Sequence, residues 1–202
     1  MPRPRSLTAD QIAAAALAVV DADGLAALSM RTVARRLGIG TMSLYRYVAD
    51  RDELEVMVVD LVLARVDLRR PRGGPARQLT ELAERVRDAA ATHPAVVPLV
   101  LIHRHRAPAS LRWGEVVLGV LNDAGCTGKR RVYAFRTVLA YVFGALAVEQ
   151  HGALTGPGTQ ALAELPADQF PLLSETAQTA RGIGPVEEFR RGLDILLRGL
   201  DV

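Results

Sequence analysis

The sequence predicts an all-α protein with a small N-terminal head, residues 1–49, and a larger helical body, residues 50–202. Ala, Leu, Val and Arg dominate the composition and aromatic residues make up only 4%, which favours helices over strands. Apolar side chains recur at helical spacing along most of the chain, and no alternating pattern is long enough to predict a strand. Both observations indicate packed helices throughout.

Composition also limits the class of protein. A chain of 202 residues that is 50% hydrophobic can bury a substantial core. The single cysteine, Cys126, excludes an internal disulfide framework and a multi-cysteine metal site, and we interpret it as a small core residue. No apolar run follows the basic start, so no signal peptide is expected. The longest apolar run, residues 138–148, is shorter than the roughly 20 residues of a membrane span. We therefore expect a cytoplasmic protein with no membrane partner.

The head and the segment that follows it contain signals for four helices. Thr8 with Gln11, and Asp50 with Glu53, have the spacing of a capping box, and Ser29 is a favourable cap. Gly24 and Gly38 end the first two helices. The predicted elements are a helix between Thr8 and Gly24, a second over Met30–Leu37, a third over Thr41–Val48, and a fourth from Asp50 towards Arg70.

The body begins after a break at Pro71–Pro75. Apolar spacing predicts a fifth helix from about Leu79 to Ala89. Pro94 fits the first turn of a sixth helix, and Pro98 either kinks this helix or moves its start. Further helices are predicted over Ala109–Ala124, Lys129 to His151 and Val186–Leu200, with residues 152–170 as a loop containing at most one helical turn.

Residues 29–54, SMRTVARRLGIGTMSLYRYVADRDEL, have the pattern of a helix-turn-helix. Val33, Ala34 and Leu37 face inward, and Gly38 permits the left-handed turn. Ile39 and Leu44, with either Tyr47 or Val48, complete the small core. Polar and large side chains then lie on the outside of the second helix of the motif, where a DNA major groove can receive them: Thr41, Met42, Ser43, Tyr45 and Arg46.

The charge of this region supports DNA as the partner. Across residues 1–48 there are six arginines, three aspartates and no glutamate. The arginines are Arg3, Arg5, Arg31, Arg35, Arg36 and Arg46. The whole chain carries a net charge of +3 and has a sequence pI of about 9.5. A solvated helical hairpin would also tolerate such charges, but it does not require this excess of one sign beside this turn.

The stretch LTADQIAAAALAVVDADGLAALSMRTVARRLGIGTMSLYRYVADRDEL resembles the DNA-binding head of the tetracycline-repressor (TetR-like) family, with its elements in the same order and spacing. The segments HPAVVPLVL, GEVVLGVLNDAG, FPLL and FRRGLDILLRGL, together with the Tyr133–Val148 helix, resemble the C-terminal domain of the tetracycline-repressor branch. The resemblance covers nearly the whole chain. It implies a homodimeric regulator, in most members a repressor, that binds a palindromic operator and is released by a small molecule.

The resemblance also implies roles for particular residues. Thr41, Met42 and Ser43 match the start of the recognition helix, and Arg31 matches a position that can reach a base edge. Tyr45 and Tyr47 match phosphate-contacting positions, and Arg51 suits a phosphate beside the N-terminus of the fourth helix. For Met42 and Tyr47, purely structural roles remain open. The predicted DNA-binding residues are Arg31, Thr32, Thr41, Met42, Ser43, Tyr45, Arg46, Tyr47 and Arg51.

For the body, the resemblance implies a small-molecule site. His103 lies where the tetracycline branch has a ligand- and metal-contacting histidine, five residues before Pro108. The branch's fourth-helix histidine is absent and its acidic partner is only approximated by Glu149, which argues against a tetracycline–magnesium complex. We predict no metal and no cofactor. Candidate lining residues, which serve equally well as core, are Val62, Val86, Ile102, His103, Trp113, Val117, Phe135, Leu139 and Phe143.

Two body helices, Tyr133–Val148 and Val186–Leu200, are too apolar to face the core on one side only. In the family that the chain resembles, the corresponding helices pair with their mates in a dimer, and Gly144 and Gly192 would permit close approach. Two alternatives remain: a DNA-binding regulator or activator without an effector, and a helical enzyme. No phosphate loop, HExxH motif or nucleophile elbow supports the enzyme.

Overall fold

The computed structural model describes residues 7–202, all but the side chain of His151; the predicted basic tail with Arg3 and Arg5 lies outside this range. Among the described residues there is no strand, and the all-α prediction is confirmed. The helices are α1 Ala9–Asp23, α2 Met30–Arg36, α3 Thr41–Leu44, α4 Arg51–Leu63, α5 Pro75–Ala91, α6 Val97–His103, α7 Pro108–Asp123, α8 Gly128–Gly152, α9 Pro157–Ala163, α10 Pro171–Ala180 and α11 Pro185–Gly199.

The helices form two compact units. The first unit comprises the described residues up to Leu68 together with Asp88–Glu115, so it contains the head, α4, α6 and the start of α7. The second unit comprises Arg69–Arg87 and Val116–Val202. The two units are defined by how the helices pack. The predicted boundary between residues 49 and 50 instead separates a DNA-binding part from a ligand-binding part, and it stays a prediction.

Helices α1 and α2 begin at the predicted caps. The Thr8 hydroxyl accepts from the Gln11 N–H at 3.2 Å, and the Gln11 side chain accepts from the Thr8 N–H at 3.0 Å. Ser29 and Thr32 make the same reciprocal pair at the start of α2. Since these bonds satisfy N–H groups that have no partner within the helix, they fix where each helix starts.

The turn between α2 and α3 has the geometry predicted from Gly38. Gly38 adopts φ +69°, its N–H donates to the Arg35 carbonyl at 3.1 Å, and the Ile39 N–H donates to the Ala34 carbonyl at 3.0 Å. These two bonds make a Schellman motif, which closes a helix and redirects the chain within two residues. Val33, Ala34, Leu44 and Val48 are buried, so Val48 rather than Tyr47 completes the core of the motif.

Two of the predicted helices are shorter than expected. Helix α3 ends at Leu44, because the following residues tighten into turns in which the Tyr47 N–H donates to the Leu44 carbonyl at 2.9 Å. Helix α4 ends at Leu63 instead of continuing towards Arg70. A turn follows in which the Val66 N–H donates to the Leu63 carbonyl and Val66 is buried; the apolar pattern did not distinguish this turn from another helical turn.

The prolines act at helix starts, and one helix was missed. Pro94 opens a short 3-10 turn and Pro98 occupies the second position of α6, so Pro98 moves the start of that helix. Helix α9 has seven residues where at most one turn was expected, and α10 was not predicted. Its ten residues include good helix formers but are too few for a stable isolated helix. It packs on α9, and the buried Ser174 hydroxyl donates to the Ala163 carbonyl at 3.2 Å.

In the second unit, α8 and α11 pack through Tyr141 and Gly192. The Tyr141 hydroxyl donates to the Phe189 carbonyl at 2.8 Å, and its ring lies 5.7 Å from the Phe189 ring centroid. A Cβ on Gly192 would lie 2.2 Å from the Tyr141 hydroxyl oxygen, whereas a Cβ on Gly144 would meet nothing within 4 Å. Gly192 is therefore required for packing inside the chain, and Gly144 is not.

Helix α8 is also long and apolar enough, over Gly128–Gln150, to cross a membrane by length and composition alone. A search of the sequence for uninterrupted apolar runs did not identify this helix, because charged and polar residues are interspersed along it. Only 28% of the apolar window is buried. Val132, Tyr133 and Val148 are more than half exposed, so α8 presents an uncovered apolar surface.

Candidate nucleic-acid interface

The outer surface of α3 carries large side chains that the fold leaves in solvent. Met42 is 79% exposed, and Tyr45 and Tyr47 are also exposed. Leu44, in the same helix, is completely buried and anchors it. Met42, Tyr45 and Arg46 lie three and four residues apart, so they share one side of the helix and its following turn. Thr41 and Ser43 are half-buried beside them.

Four arginines surround these residues in sequence and remain exposed: Arg31, Arg35, Arg36 and Arg46. In the described part of the chain, none of them has a carboxylate partner. Solvated guanidinium groups beside a helix-turn-helix are suited to phosphate oxygens and, in a bidentate arrangement, to guanine. This charged, uncompensated surface is what a nucleic-acid contact requires.

Thr32, which was included in the predicted DNA-binding set, is committed to local structure. Its hydroxyl donates to the Ala27 carbonyl at 2.7 Å and accepts from the Ser29 N–H at 3.0 Å. The capping role was not recognised from the sequence, because a threonine three residues after the cap is less common than glutamate or glutamine. Thr32 therefore positions the start of α2.

Arg51 and His103, predicted for two separate sites, meet at one carboxylate. Glu55 Oε1 accepts from Arg51 Nε at 2.8 Å, and Glu55 Oε2 lies 2.8 Å from His103 Nε2. His103 is only 2% exposed and Glu55 9%. Sequence reasoning did not identify Glu55; its spacing of four residues from Arg51 could have indicated the ion pair, whereas the contact from α6 has no sequence signal.

A neighbouring ion pair balances the charge of this cluster. Asp52, Glu55 and His103 place ligand-type atoms within 4.8 Å of one another, as a cation site would. Asp52, however, pairs with Arg106 and Glu55 pairs with Arg51. Because two guanidinium groups offset two carboxylates, the cluster is best described as an ion-pair network.

The remaining candidate ligand-binding residues are divided between the two units. In the first unit Val62 and Trp113 are buried with His103, while Ile102 is 57% exposed. The others belong to the second unit, where Val86, Val117 and Phe143 are buried and Phe135 and Leu139 are half-buried. Burial of this kind fits a core as well as a ligand site.

A second ion pair lies inside the second unit. Arg87, 6% exposed, donates from Nη2 to Glu149 Oε1 at 2.8 Å and from Nε to Glu149 Oε2 at 3.1 Å. The guanidinium carbon also lies 5.7 Å from the Phe189 ring centroid. Both carboxylate oxygens of Glu149, the residue that only approximates the acidic partner of the tetracycline branch, are thus engaged by arginine.

Glu149→Ala is expected to destabilise the protein by about 3 kcal/mol, because it leaves a nearly buried guanidinium without its bidentate partner. This is the lower end of the range for buried pairs, since the Glu149 side chain is 28% exposed. Chemical denaturation monitored by circular dichroism measures the loss. Arg198→Ala, which breaks an exposed pair with Asp194, is the matched control and should change stability by less than about 1 kcal/mol. Equal losses would mean that Arg87 is solvated.

Glu188 lies near this pair, at the groove between α8 and α11. Burial raises the pKa of Glu188, and the nearby negative charge of Glu149 raises it further. A carboxyl group with a raised pKa in the folded state contributes stability that is fully present below its ordinary pKa of 4.5 and is lost as pH rises through the folded pKa.

Glu188→Gln should therefore be more stable than the wild type at pH 7, since it removes the ionised form, and the difference should vanish as pH falls below about 4.5. Thermal unfolding of both proteins across this range measures it. A difference of constant size at every pH would show that the ionisation of Glu188 is not its cause.

Comparison with known proteins agrees with this arrangement. Residues 12–54 match the family described as bacterial regulatory proteins, tetR family, and residues 69–202 match the tetracyclin repressor-like C-terminal domain. The HTH-type transcriptional repressor DrrR1 of Streptomyces coeruleorubidus is 34% identical over 100% of this chain and 79% of its own length.

Solved structures of ActR, a TetR family protein of Streptomyces coelicolor, are also similar. The complex with (S)-DNPA has a TM-score of 0.84 and 30% identity, covering 96% of each chain. The complex with actinorhodin has a TM-score of 0.83 and 29% identity, covering 98% of this chain and 96% of ActR. With both its helix-turn-helix and its body matched, the chain belongs to the TetR family of helix-turn-helix transcriptional regulators.

Proposed function

We propose that the protein is a cytoplasmic transcriptional repressor that binds a palindromic operator as a homodimer and is released by a small molecule. The observation that carries the DNA-binding half is the exposed surface of α2 and α3, where arginines without carboxylate partners among the described residues surround an exposed recognition helix. The residues proposed to contact DNA are Arg31, Thr41, Met42, Ser43, Tyr45, Arg46, Tyr47 and Arg51. The repressor DrrR1 supports the sign of regulation.

We propose roles within this set from the resemblance to the family, and the chemistry of each side chain suits its role. Arg31 reaches base edges, where a guanidinium pairs with guanine, and Met42 contacts thymine methyl groups. Tyr45, Tyr47 and Arg51 bind phosphates, which fix the register without reading sequence. Arg51 is the first residue of α4, so the positive end of the helix dipole adds to its charge.

The dimer is proposed to form through α8 and α11. Val132, Tyr133, Val148, Val186 and Ile195 are all more than half exposed on these helices, while Phe189, Leu193 and Leu197 are buried within the chain. The apolar surface available to a partner is therefore the outer one. Small residues on α8, Ala140 and Gly144, line a groove of about 310 Å³ that a second helix can enter. A two-fold dimer matches a palindromic operator.

Gly144→Leu tests this face. Within the chain there is open space at Gly144, and leucine is a better helix former than glycine, so the monomer fold should be retained. A leucine at the centre of the interface should weaken dimerisation by about 5–150-fold, because overpacking costs about 1–3 kcal/mol. Sedimentation equilibrium measures it. Gly119→Leu, at another open helical glycine, is the control. An unchanged dimer constant for Gly144→Leu would place the interface elsewhere.

The proposal that a small molecule releases the protein from DNA is supported by ActR, two structures of which contain (S)-DNPA or actinorhodin. We propose that this chain binds an organic molecule of its own in the body, with contacts drawn from the apolar candidates and His103 and with no metal. One observation favours the alternative, a regulator without an effector: His103 is buried and already bonded to Glu55. Thermal shift against a library of metabolites and antibiotics separates the two, since a ligand raises the melting temperature only if it binds.

The proposed operator is tested by selecting bound duplexes from a random pool. A dimer should enrich an inverted repeat whose half-sites face the same side of the duplex, about one helical turn or a multiple apart. Enrichment of single half-sites, or of no sequence, would contradict the proposal. Arg31→Ala should relax the preference at one base pair of each half-site and cost about 1–3 kcal/mol per contact.

A further inference from the structure

Glu55 has both of its carboxylate oxygens engaged, one by a residue of its own helix and the other by a residue of α6. Oε1 accepts from Arg51, one turn earlier on α4, and Oε2 contacts His103 on α6. The Arg51 side chain is 48% exposed, while that of His103 is 2% exposed. One carboxylate thus joins an exposed cation at the start of α4 to a buried imidazole.

Its burial makes the loss of either partner costly. A carboxylate that is 9% exposed cannot replace a missing hydrogen bond with bulk water, so it must move or strengthen its remaining contact. If His103 is removed, the remaining partner is Arg51. Arg51 and His103 are thus linked through the two oxygens of this carboxylate.

Arg51 also contacts the head. Arg51 Nη2 donates to the Leu25 carbonyl at 3.3 Å, and Leu25 begins the short 3-10 turn that leads from α1 to α2. Arg51 thus lies beside the start of the helix-turn-helix, and about half of its side chain is exposed. A small shift of this group moves the cation relative to a phosphate.

We propose that Glu55 is a positioning residue for DNA binding: it holds Arg51 in the phosphate-contacting orientation only while His103 holds its other oxygen. This rests on the proposed function, in which Arg51 contacts a phosphate. When His103 is withdrawn, the freed Oε2 of Glu55 also accepts from Arg51, and this second hydrogen bond draws the guanidinium away from the DNA. Any molecule that takes His103 from Glu55 has the same consequence.

Two other contacts provide controls, because they join the same segment to the start of α4 and to the head without involving Glu55. Arg106 pairs with Asp52 at the start of α4, and His93 Nδ1 lies 2.9 Å from an Asp21 carboxylate oxygen on α1. If residues 93–106 act on the head merely by holding it rigid, breaking these contacts should have the same effect as removing His103.

The experiment measures the salt dependence of binding to the duplex that the wild-type protein selects. Removing one arginine–phosphate pair reduces the log–log slope by about 0.9, so Arg51→Ala should reduce it by about two units per dimer. His103→Leu, which keeps most of the side-chain volume, should produce the same reduction. In a Glu55→Gln background, His103→Leu should leave the slope unchanged. His103→Gln, which retains an N–H donor, should restore the wild-type slope.

His93→Ala and Arg106→Ala should leave the slope at its wild-type value. The proposal is overturned if His103→Leu leaves the slope unchanged, or reduces it equally with and without Glu55. If His103→Leu fails to fold, as judged by circular dichroism, the comparison of His103→Gln with His103→Asn replaces it, since asparagine is too short to reach Glu55. A pool that enriches no duplex counts against the proposed function, whereas an enriched duplex with a slope insensitive to His103 counts against the role of Glu55 alone.

Discussion

Gly38→Val is expected to abolish operator binding while the body folds and dimerises as before. Gly38 has φ +69°, a conformation that a β-branched side chain occupies only with strain of about 1–3 kcal/mol. The chain relieves that strain by breaking the two hydrogen bonds that close α2. Because α3 follows within three residues, its direction then changes, and Met42 and Arg46 no longer meet the groove.

Fluorescence anisotropy with the selected duplex measures the loss, and circular dichroism with sedimentation checks the fold and the dimer. Gly38→Asn is the matched control, since asparagine tolerates the left-handed region far better than valine. It should retain most of the affinity. Wild-type binding by Gly38→Val would show that the turn does not set the direction of α3.

Operator affinity is expected to fall by about 10³–10⁵-fold between 50 and 200 mM salt, as for proteins that make about 6–10 phosphate contacts. Three exposed arginines proposed to contact DNA, Arg31, Arg46 and Arg51, and two exposed arginines near them on α2, Arg35 and Arg36, supply enough cations for this number in a dimer. Replacing DNA counterions with these side chains releases ions, which is favourable only while the bulk salt concentration is low.

A titration series at fixed temperature measures the slope of log affinity against log salt. Arg35→Ala together with Arg36→Ala should reduce it, whereas Arg191→Ala, at an exposed position on α11, should not. A slope near zero for the wild-type protein would mean that the arginine surface does not face phosphate groups.

How far the structure could be predicted from the sequence differs between the two parts of the molecule. In the head, each signal is local: Thr8 and Ser29 cap through side chains three residues away, and Gly38 turns within two residues. Such signals are readable because the partner is a near neighbour in sequence. The helix-turn-helix was therefore predicted nearly residue by residue, apart from the short α3.

In the body, the decisive contacts join residues far apart in the sequence. Glu55 bonds His103 across 48 residues, and Arg87 bonds Glu149 across 62. Neither pair has a signature in spacing or composition. Helix α10 was missed for a related reason: ten residues are too few for a stable isolated helix, and packing on α9 stabilises it. The predicted DNA-contact and ligand residues stay predictions, while their exposure and burial are now known.

The stoichiometry of the complex with DNA decides whether the protein acts as a two-fold repressor. Sedimentation velocity of the protein with the selected duplex, compared with a duplex in which one half-site is scrambled, counts the chains on each. We expect two chains on the intact duplex and a loss of affinity for the scrambled one, with no stable complex of a single chain. One chain per duplex, or equal affinity for both duplexes, would contradict binding of a palindrome by a dimer.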